Sequence, residues 1–139
     1  MASISKALRT TIIERANGLC EYCQASQLII LEMEIDHIQP QSKGGLTIES
    51  NLCLACPGCN GFKSDDEEAI DPQTREIVAL FNPRTQHWTS HFKWSPDGTL
   101  LIGRTPIGRA TIERLRINRE LVVKARERWV KAGWHPPPH

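Results

Sequence analysis

Two groups of residues in this sequence have types and spacing suited to chemistry. The first is cysteine. Five stand at positions 20, 23, 53, 56 and 59, and four of them form Cys20-Glu-Tyr-Cys23 and Cys56-Pro-Gly-Cys59, with 32 residues between the pairs. A Cys-x-x-Cys turn presents two sulfurs on one side, so two such turns complete the tetrahedral thiolate set that zinc prefers in a closed structural site. A pair of redox dithiols is the other chemistry of the same pattern. Where no export pattern is present, metal ligation comes before disulfides. Cys20, Cys23, Cys56 and Cys59 are therefore expected to hold a structural Zn2+. Cys53 is left over in the apolar run Leu52-Cys53-Leu54-Ala55 and reads as a buried, inert thiol.

The second group lies between and across the cysteines: Asp36-His37, Asn51 and Asn60, with the loop Gln41-Ser-Lys-Gly-Gly45. Histidine exchanges a proton near neutral pH, and carboxylate and amide oxygens suit a hard cation. Each residue has a plainer reading as well. An Asp-His pair is commonly a surface or hydrogen-bonded feature, the asparagines could cap helices or turns, and Gly44-Gly45 could be only a turn.

Taken together, Asp36-His37-Ile38 with Pro40, Ser42-Lys43-Gly44-Gly45, Asn51-Leu52 and Cys59-Asn60 resemble the HNH nuclease family. His37 to Asn51 is 14 positions and Asn51 to Asn60 is 9, similar to the spacing in the HNH domain of RNA-guided DNA-cutting enzymes, and Lys63-Ser64 extends the likeness. The flanking cysteine pairs resemble the zinc-stapled branch of the family. The resemblance covers roughly residues 15–68. It implies an α+β protein with a ββα-metal (HNH, His-Me finger) core, and an endonuclease that hydrolyses DNA phosphodiester bonds. His37 would be the general base that activates water. Asp36 and Asn60 would hold one catalytic divalent ion, and Asn51 would brace the loop and help orient His37. Some members carry His where this chain has Asn60; the amide favours Mg2+ or Mn2+. Hydrolysis of a phosphodiester needs a nucleophilic water, a proton acceptor and positive charge near the developing oxyanions, and this set supplies all three. Low sequence specificity and nicking of one strand per site are the accompanying expectations, with double-stranded DNA as partner and other nucleic acids open.

Several elements must position these residues. Residues 4–17 have helical spacing and meet a stop at Asn17-Gly18. Residues 28–38, rich in Leu and Ile, read as a strand ending at Asp36-His37. A second strand runs from Leu52 to Ala55, and Pro57 can occupy the first turn of a helix from about Gly58 to Glu68. Asp65-Asp66-Glu67-Glu68 then lies toward that helix's end. Beyond Asp71, His91–Trp94 and Thr99–Ile102 read as two strands joined by the turn Ser95-Pro96-Asp97-Gly98. A last helical region covers 110–132, with Asn118 as cap for its second half and Leu121, Val122, Ala125, Trp129 and Val130 on an apolar face. The organisation expected is a nuclease core over 1–70 and a hairpin-helix extension over 71–139, packed on the core.

Composition agrees with a folded chain: of its 139 residues 40% are hydrophobic and 24% charged. The apolar run LIILEMEI at 28–35 is too short to span a bilayer and is broken by Glu32 and Glu34. The opening MASISKALRTTIIERANG has no h-region or cleavage pattern, so the expected location is the cytoplasm, with no membrane association. The net charge is +1, unevenly spread: residues 1–99 carry 8 Lys/Arg against 13 Asp/Glu, and residues 100–139 carry 9 against 3. The basic end is either a solvated helix face or a phosphate-binding surface. On the second reading, Lys43, Lys63, Arg104, Arg109, Arg114, Arg116 and Arg119 contact DNA, and affinity falls steeply with salt. Lys124, Arg126, Arg128 and Lys131 extend the same surface.

His87 and His91 have ligand spacing, but the strand expected at 91–94 and the neighbours Trp88, Phe92 and Trp94 point to packing. Leu80-Phe81-Asn82-Pro83-Arg84, Trp88, His91-Phe92, Gly103-Arg104-Thr105 and Gly108-Arg109-Ala110-Thr111 resemble an extension of uncharacterised bacterial HNH proteins. Two rivals stand beside the nuclease: an inactive zinc-dependent nucleic-acid-binding module, and an interaction protein whose basic helices bind an acidic partner.

Overall fold

The computed structural model describes residues 4–138; residues 1–3 and 139, which the sequence ranges above include, lie outside it. Helix α1 (Lys6–Arg15) starts at Ser5, whose hydroxyl accepts from the Leu8 N–H at 3.1 Å. It ends where expected, because Asn17 and Gly18 turn to positive φ (54° and 69°). Short α2 (Gln27–Ile30) precedes β1 (Glu34–His37), and after two 3-10 turns (Gln41–Lys43 and Glu49–Asn51) come β2 (Leu52–Ala55) and α3 (Pro57–Lys63). β1 and β2 pair antiparallel, Asp36 opposite Cys53 and His37 opposite Leu52. Next come the antiparallel pair β3 (Glu68–Ile70) and β4 (Ile77–Ala79), α4 (Trp88–His91), the antiparallel pair β5 (Phe92–Trp94) and β6 (Leu101–Gly103), α5 (Pro106–Arg114) and α6 (Glu120–Lys131).

The elements mix helices with small two-stranded sheets, an α+β arrangement. They form two compact units. One takes the chain up to Glu67 together with Asn82–Gln86; the other takes Glu68–Phe81 and the chain from His87 onward. In the first unit the buried apolar residues include Ile12, Tyr22, Met33, Leu52 and Leu54, and all five cysteines are buried with them. The second unit buries Leu80, Phe81, Phe92, Leu101, Ala110, Leu115 and Ile117. There the Phe81 and Phe92 rings meet edge to face at 5.2 Å.

Several expectations change. Residues 28–38 are not one strand. Ser26 caps a helical turn by accepting from the Leu28 N–H, Leu31 takes φ 70°, and β1 begins only at Glu34. A local cap outweighs β-propensity where an apolar run finds no strand partner, and Leu28 is 89% exposed. Helix α3 stops at Lys63, because Ser64 turns to φ 53°. The acidic run therefore lies outside α3, and Glu68 opens β3. The hairpin of β3 and β4 is new, its strands being too short to show a period. Its loop is built by Asp71, whose carboxylate accepts from the Gln73 N–H and the Thr74 hydroxyl and pairs with Arg109 in two bonds of 3.0 and 2.9 Å. That ion pair holds the buried Asp71 carboxyl well below the usual carboxylate range.

The turn at 95–98 forms as expected, with the Gly98 N–H donating to the Ser95 carbonyl at 2.8 Å, although β5 and β6 start one and two residues later than expected. His91 packs, as expected, against Phe81, with Nδ1 at 2.6 Å from the Thr105 hydroxyl, but it closes helical α4 instead of opening a strand. The region 110–132 is two helices. Arg119 occupies the N-cap of α6, and Asn118 instead exchanges hydrogen bonds with both backbone groups of Leu101. Leu121 is 76% exposed, so it leaves the apolar face assigned to it.

Arg126 is buried, its guanidinium donating to the carbonyls of Thr99 and Ile117 and to the Asn118 side-chain oxygen. His135 is buried beside it, 4.3 Å from the Trp94 ring and 6.0 Å from Trp129. Burial and the Arg126 charge push its pKa down to about 4, against about 6.5 when unfolded. Between these values the unfolded chain binds the extra proton, so stability falls as pH drops from about 6.5 toward about 4. The thermal midpoint at pH 5 is expected to lie below that at pH 7 by a margin that shrinks in His135→Asn. His91 shifts in the same direction through burial, so only the difference between the two proteins reports His135. Equal margins would refute its role.

Candidate active site

The four cysteines expected to act together do meet. Their sulfurs lie within 4.8 Å of one another, and all four residues are buried. The Cys23 N–H points at the Cys20 sulfur at 3.5 Å, and the Cys59 N–H at the Cys56 sulfur at 3.4 Å, so each turn holds its first sulfur with its own backbone. The Cys23 and Cys56 sulfurs are 3.7 Å apart, close to the edge of about 3.8 Å for a tetrahedron with sulfurs about 2.3 Å from zinc. Hydrogen bonds from Cys20, Cys23 and Cys59 push the Cys56 thiol far down. Burial pushes Cys20 up, and Cys59 is raised by its hydrogen bonds with Cys20, Cys23 and Cys56. Four thiolates so close need a cation to ionise together, and the geometry and donor set fit zinc. Cys53 lies outside the cluster, and burial pushes its thiol well up, as befits an inert side chain.

The first knuckle is stitched to β2: the Glu21 N–H donates to the Leu54 carbonyl and the Leu54 N–H to the Glu21 carboxylate, both at 2.8 Å. Glu21 also pairs with Arg84, whose guanidinium is lowered to about 10 by burial and by the nearby Arg15 charge.

Asp36 and His37 are neighbours at the end of β1, so their side chains leave opposite faces. Asp36 is buried, and its Oδ2 accepts from the Tyr22 hydroxyl at 2.7 Å and pairs with the Lys63 ammonium at 3.1 Å. The ammonium also donates to Asp36 Oδ1 (3.3 Å) and to the carbonyls of His37 (3.2 Å) and Ile38 (3.4 Å). His37 is half-buried, with Nε2 2.9 Å from the Thr47 hydroxyl. Asn51 braces the intervening loop. Its amide donates to the carbonyls of Gln39 (3.0 Å) and Leu46 (2.9 Å), its oxygen accepts from the Gln39 N–H (2.8 Å), and its own carbonyl accepts from the Ile38 N–H (2.8 Å). The His37 carbonyl itself is held by Lys63. Gly45 must be glycine, because a Cβ there would sit 1.8 Å from the Gln39 carbonyl oxygen.

Asn60 projects from α3, and its amide donates to Glu34 Oε1 at 2.7 Å. Glu34 is two residues before Asp36 on β1 and so shares its face. Glu34 and Asn60 thus meet through one side-chain bond, Asp36 lies two residues along the same strand, and carboxylate and amide oxygens are the donors that suit Mg2+ and Mn2+.

Two expected phosphate contacts are placed differently. Lys63 is 2% exposed and bound to Asp36 and β1, since a buried carboxylate needs a counter-charge. Arg109 is spent on Asp71. Arg126 is likewise internal. Lys43 and Arg116 are exposed, Arg104 donates to the Thr89 carbonyl, and Arg119 to the Arg116 carbonyl. Sequence reasoning missed Tyr22, Glu34 and Thr47. Only Glu34 had a signal, its period-two relation to Asp36.

Residues 20–66 match the family model of the HNH endonuclease. That segment is an HNH-family domain, and it implies a nuclease-type function on a nucleic-acid substrate. Comparison with curated proteins and with solved structures returns no match. Among the described residues, no helix is long and apolar enough to cross a membrane.

Proposed function

We propose that this chain is a metal-dependent HNH endonuclease with a ββα-metal core, which nicks double-stranded DNA with low sequence specificity. The observation that carries the reading is the braced β1–β2 loop. Asn51 and Lys63 fix the backbone from His37 to Gln39, and Thr47 engages one ring nitrogen of His37. With Nε2–H donating to Thr47, Nδ1 keeps the lone pair that accepts a proton from the attacking water. Asp36 and Asn60 would hold Mg2+ or Mn2+, which would supply positive charge to the developing oxyanion and the leaving oxygen. Lys43, Arg104, Arg114, Arg116 and Arg119 are proposed phosphate contacts. The structural zinc holds the first knuckle against the start of α3.

The test is nicking of supercoiled plasmid by zinc-loaded protein. Mg2+ or Mn2+ is expected to support nicking, and EDTA at a concentration that spares the zinc is expected to stop it. DNA retention without cleavage across metals would favour the inactive binding module instead. Absence of DNA affinity would favour a basic surface for an acidic partner.

A further inference from the structure

We propose that Tyr22 is a positioning residue for the catalytic divalent ion, linking the four-cysteine site to Asp36; this rests on the reading of Asp36 as a ligand. Tyr22 is fully buried and sits inside the first knuckle, flanked by Glu21 and Cys23. Its backbone therefore moves with two of the four sulfurs, and Glu21 ties the same turn to β2. Its hydroxyl reaches Asp36 Oδ2 at 2.7 Å, short enough for a charge-assisted bond. Cys53 completes the enclosure, its sulfur 3.5 Å from the hydroxyl and 3.7 Å from Oδ2.

The consequence is a division of labour between the two carboxylate oxygens. Oδ2 is occupied by Tyr22 and, at 3.1 Å, by Lys63, whereas Oδ1 has a longer contact to Lys63 at 3.3 Å. A carboxylate oxygen has about two acceptor sites, so Oδ2 is saturated and Oδ1 keeps capacity for a cation. Without the phenol, Oδ2 loses its shortest donor, keeping the ammonium at 3.1 Å and the Cys53 sulfur at 3.7 Å, and the carboxylate can turn to share both oxygens with the ammonium. The cation would then compete with Lys63 for Oδ1. Groups that orient a ligand change metal affinity by about 10- to 100-fold when removed.

The experiment is Mn2+ binding to the zinc-loaded full chain, followed by electron paramagnetic resonance well below the unfolding temperature. Wild type, Tyr22→Phe, Cys53→Ala and Asp36→Asn are compared, with zinc content measured on each. Tyr22→Phe is expected to keep its zinc and to raise the Mn2+ Kd about 10- to 100-fold, while Cys53→Ala stays near wild type. A wild-type Kd in Tyr22→Phe, or an equal rise in Cys53→Ala, would overturn the positioning role. Equal Mn2+ binding by wild type and Asp36→Asn would overturn the underlying assignment of Asp36, and is recognisable as that separate failure.

Discussion

His37→Ala is expected to lower the rate of plasmid nicking by about 100- to 10,000-fold, the usual loss when a general base is removed, with zinc content unchanged. Stability should change little. His37 is half-buried, and its one assigned side-chain bond, to Thr47, is a neutral pair worth about 1 kcal/mol. The loop does not depend on the imidazole, because Asn51 and Lys63 bond the backbone of Ile38, Gln39 and His37 itself. Activity and folding should therefore separate in this variant, which is what distinguishes a base from a packing residue. The measurement is initial nicking rate in Mg2+ and Mn2+, beside zinc content and thermal unfolding. A folded, zinc-loaded variant that nicks at the wild-type rate would remove His37 from the chemistry.

Removal of zinc is expected to unfold the first unit. Apart from the cysteines, its buried apolar residues are few, among them Ile12, Tyr22, Met33, Leu52 and Leu54. Structural zinc contributes about 10–16 kcal/mol at neutral pH, comparable to the entire stability of about 5–15 kcal/mol of an ordinary domain. Cys59→Ser should therefore lose both the metal and the amide exchange protection of β1, β2 and α3. Cys53→Ala should keep both, since its sulfur lies outside the cluster. Tyr22 lies in this unit and all four tryptophans (88, 94, 129 and 134) in the other, so hydrogen exchange, which reads β1, β2 and α3 themselves, is the direct measurement. Protection that survives metal removal would show that the apolar core suffices.

What the sequence by itself determined is local or metal-driven. The two Cys-x-x-Cys turns carry their own geometry, because each N–H caps a sulfur three residues away. The strand Leu52–Ala55 was legible as a short apolar run ending at a cysteine and a proline. The stop at Asn17-Gly18 and the turn at 95–98 follow from residues that tolerate or favour those backbone angles. His37, Asn51 and Asn60 were singled out by the resemblance of their order and spacing to the HNH family, and their roles are the ones proposed above.

Tertiary structure decided which charges are free to act. Lys63 and Arg109 look like phosphate contacts in a basic sequence, yet buried carboxylates at Asp36 and Asp71 claim them. Desolvating a carboxylate costs more than holding a cation beside it. Asn118 looked like a helix cap and became a partner of β6, because the backbone of Leu101 lies opposite it. Tyr22 and Thr47 carried no signal at all, for their importance lies in what faces them. Tyr22 meets Asp36 across 14 residues of chain, and Thr47 meets His37 across 10. Periodicity and propensity describe neighbours along the chain, whereas hydrogen bonds between distant residues exist only after the chain has closed on itself.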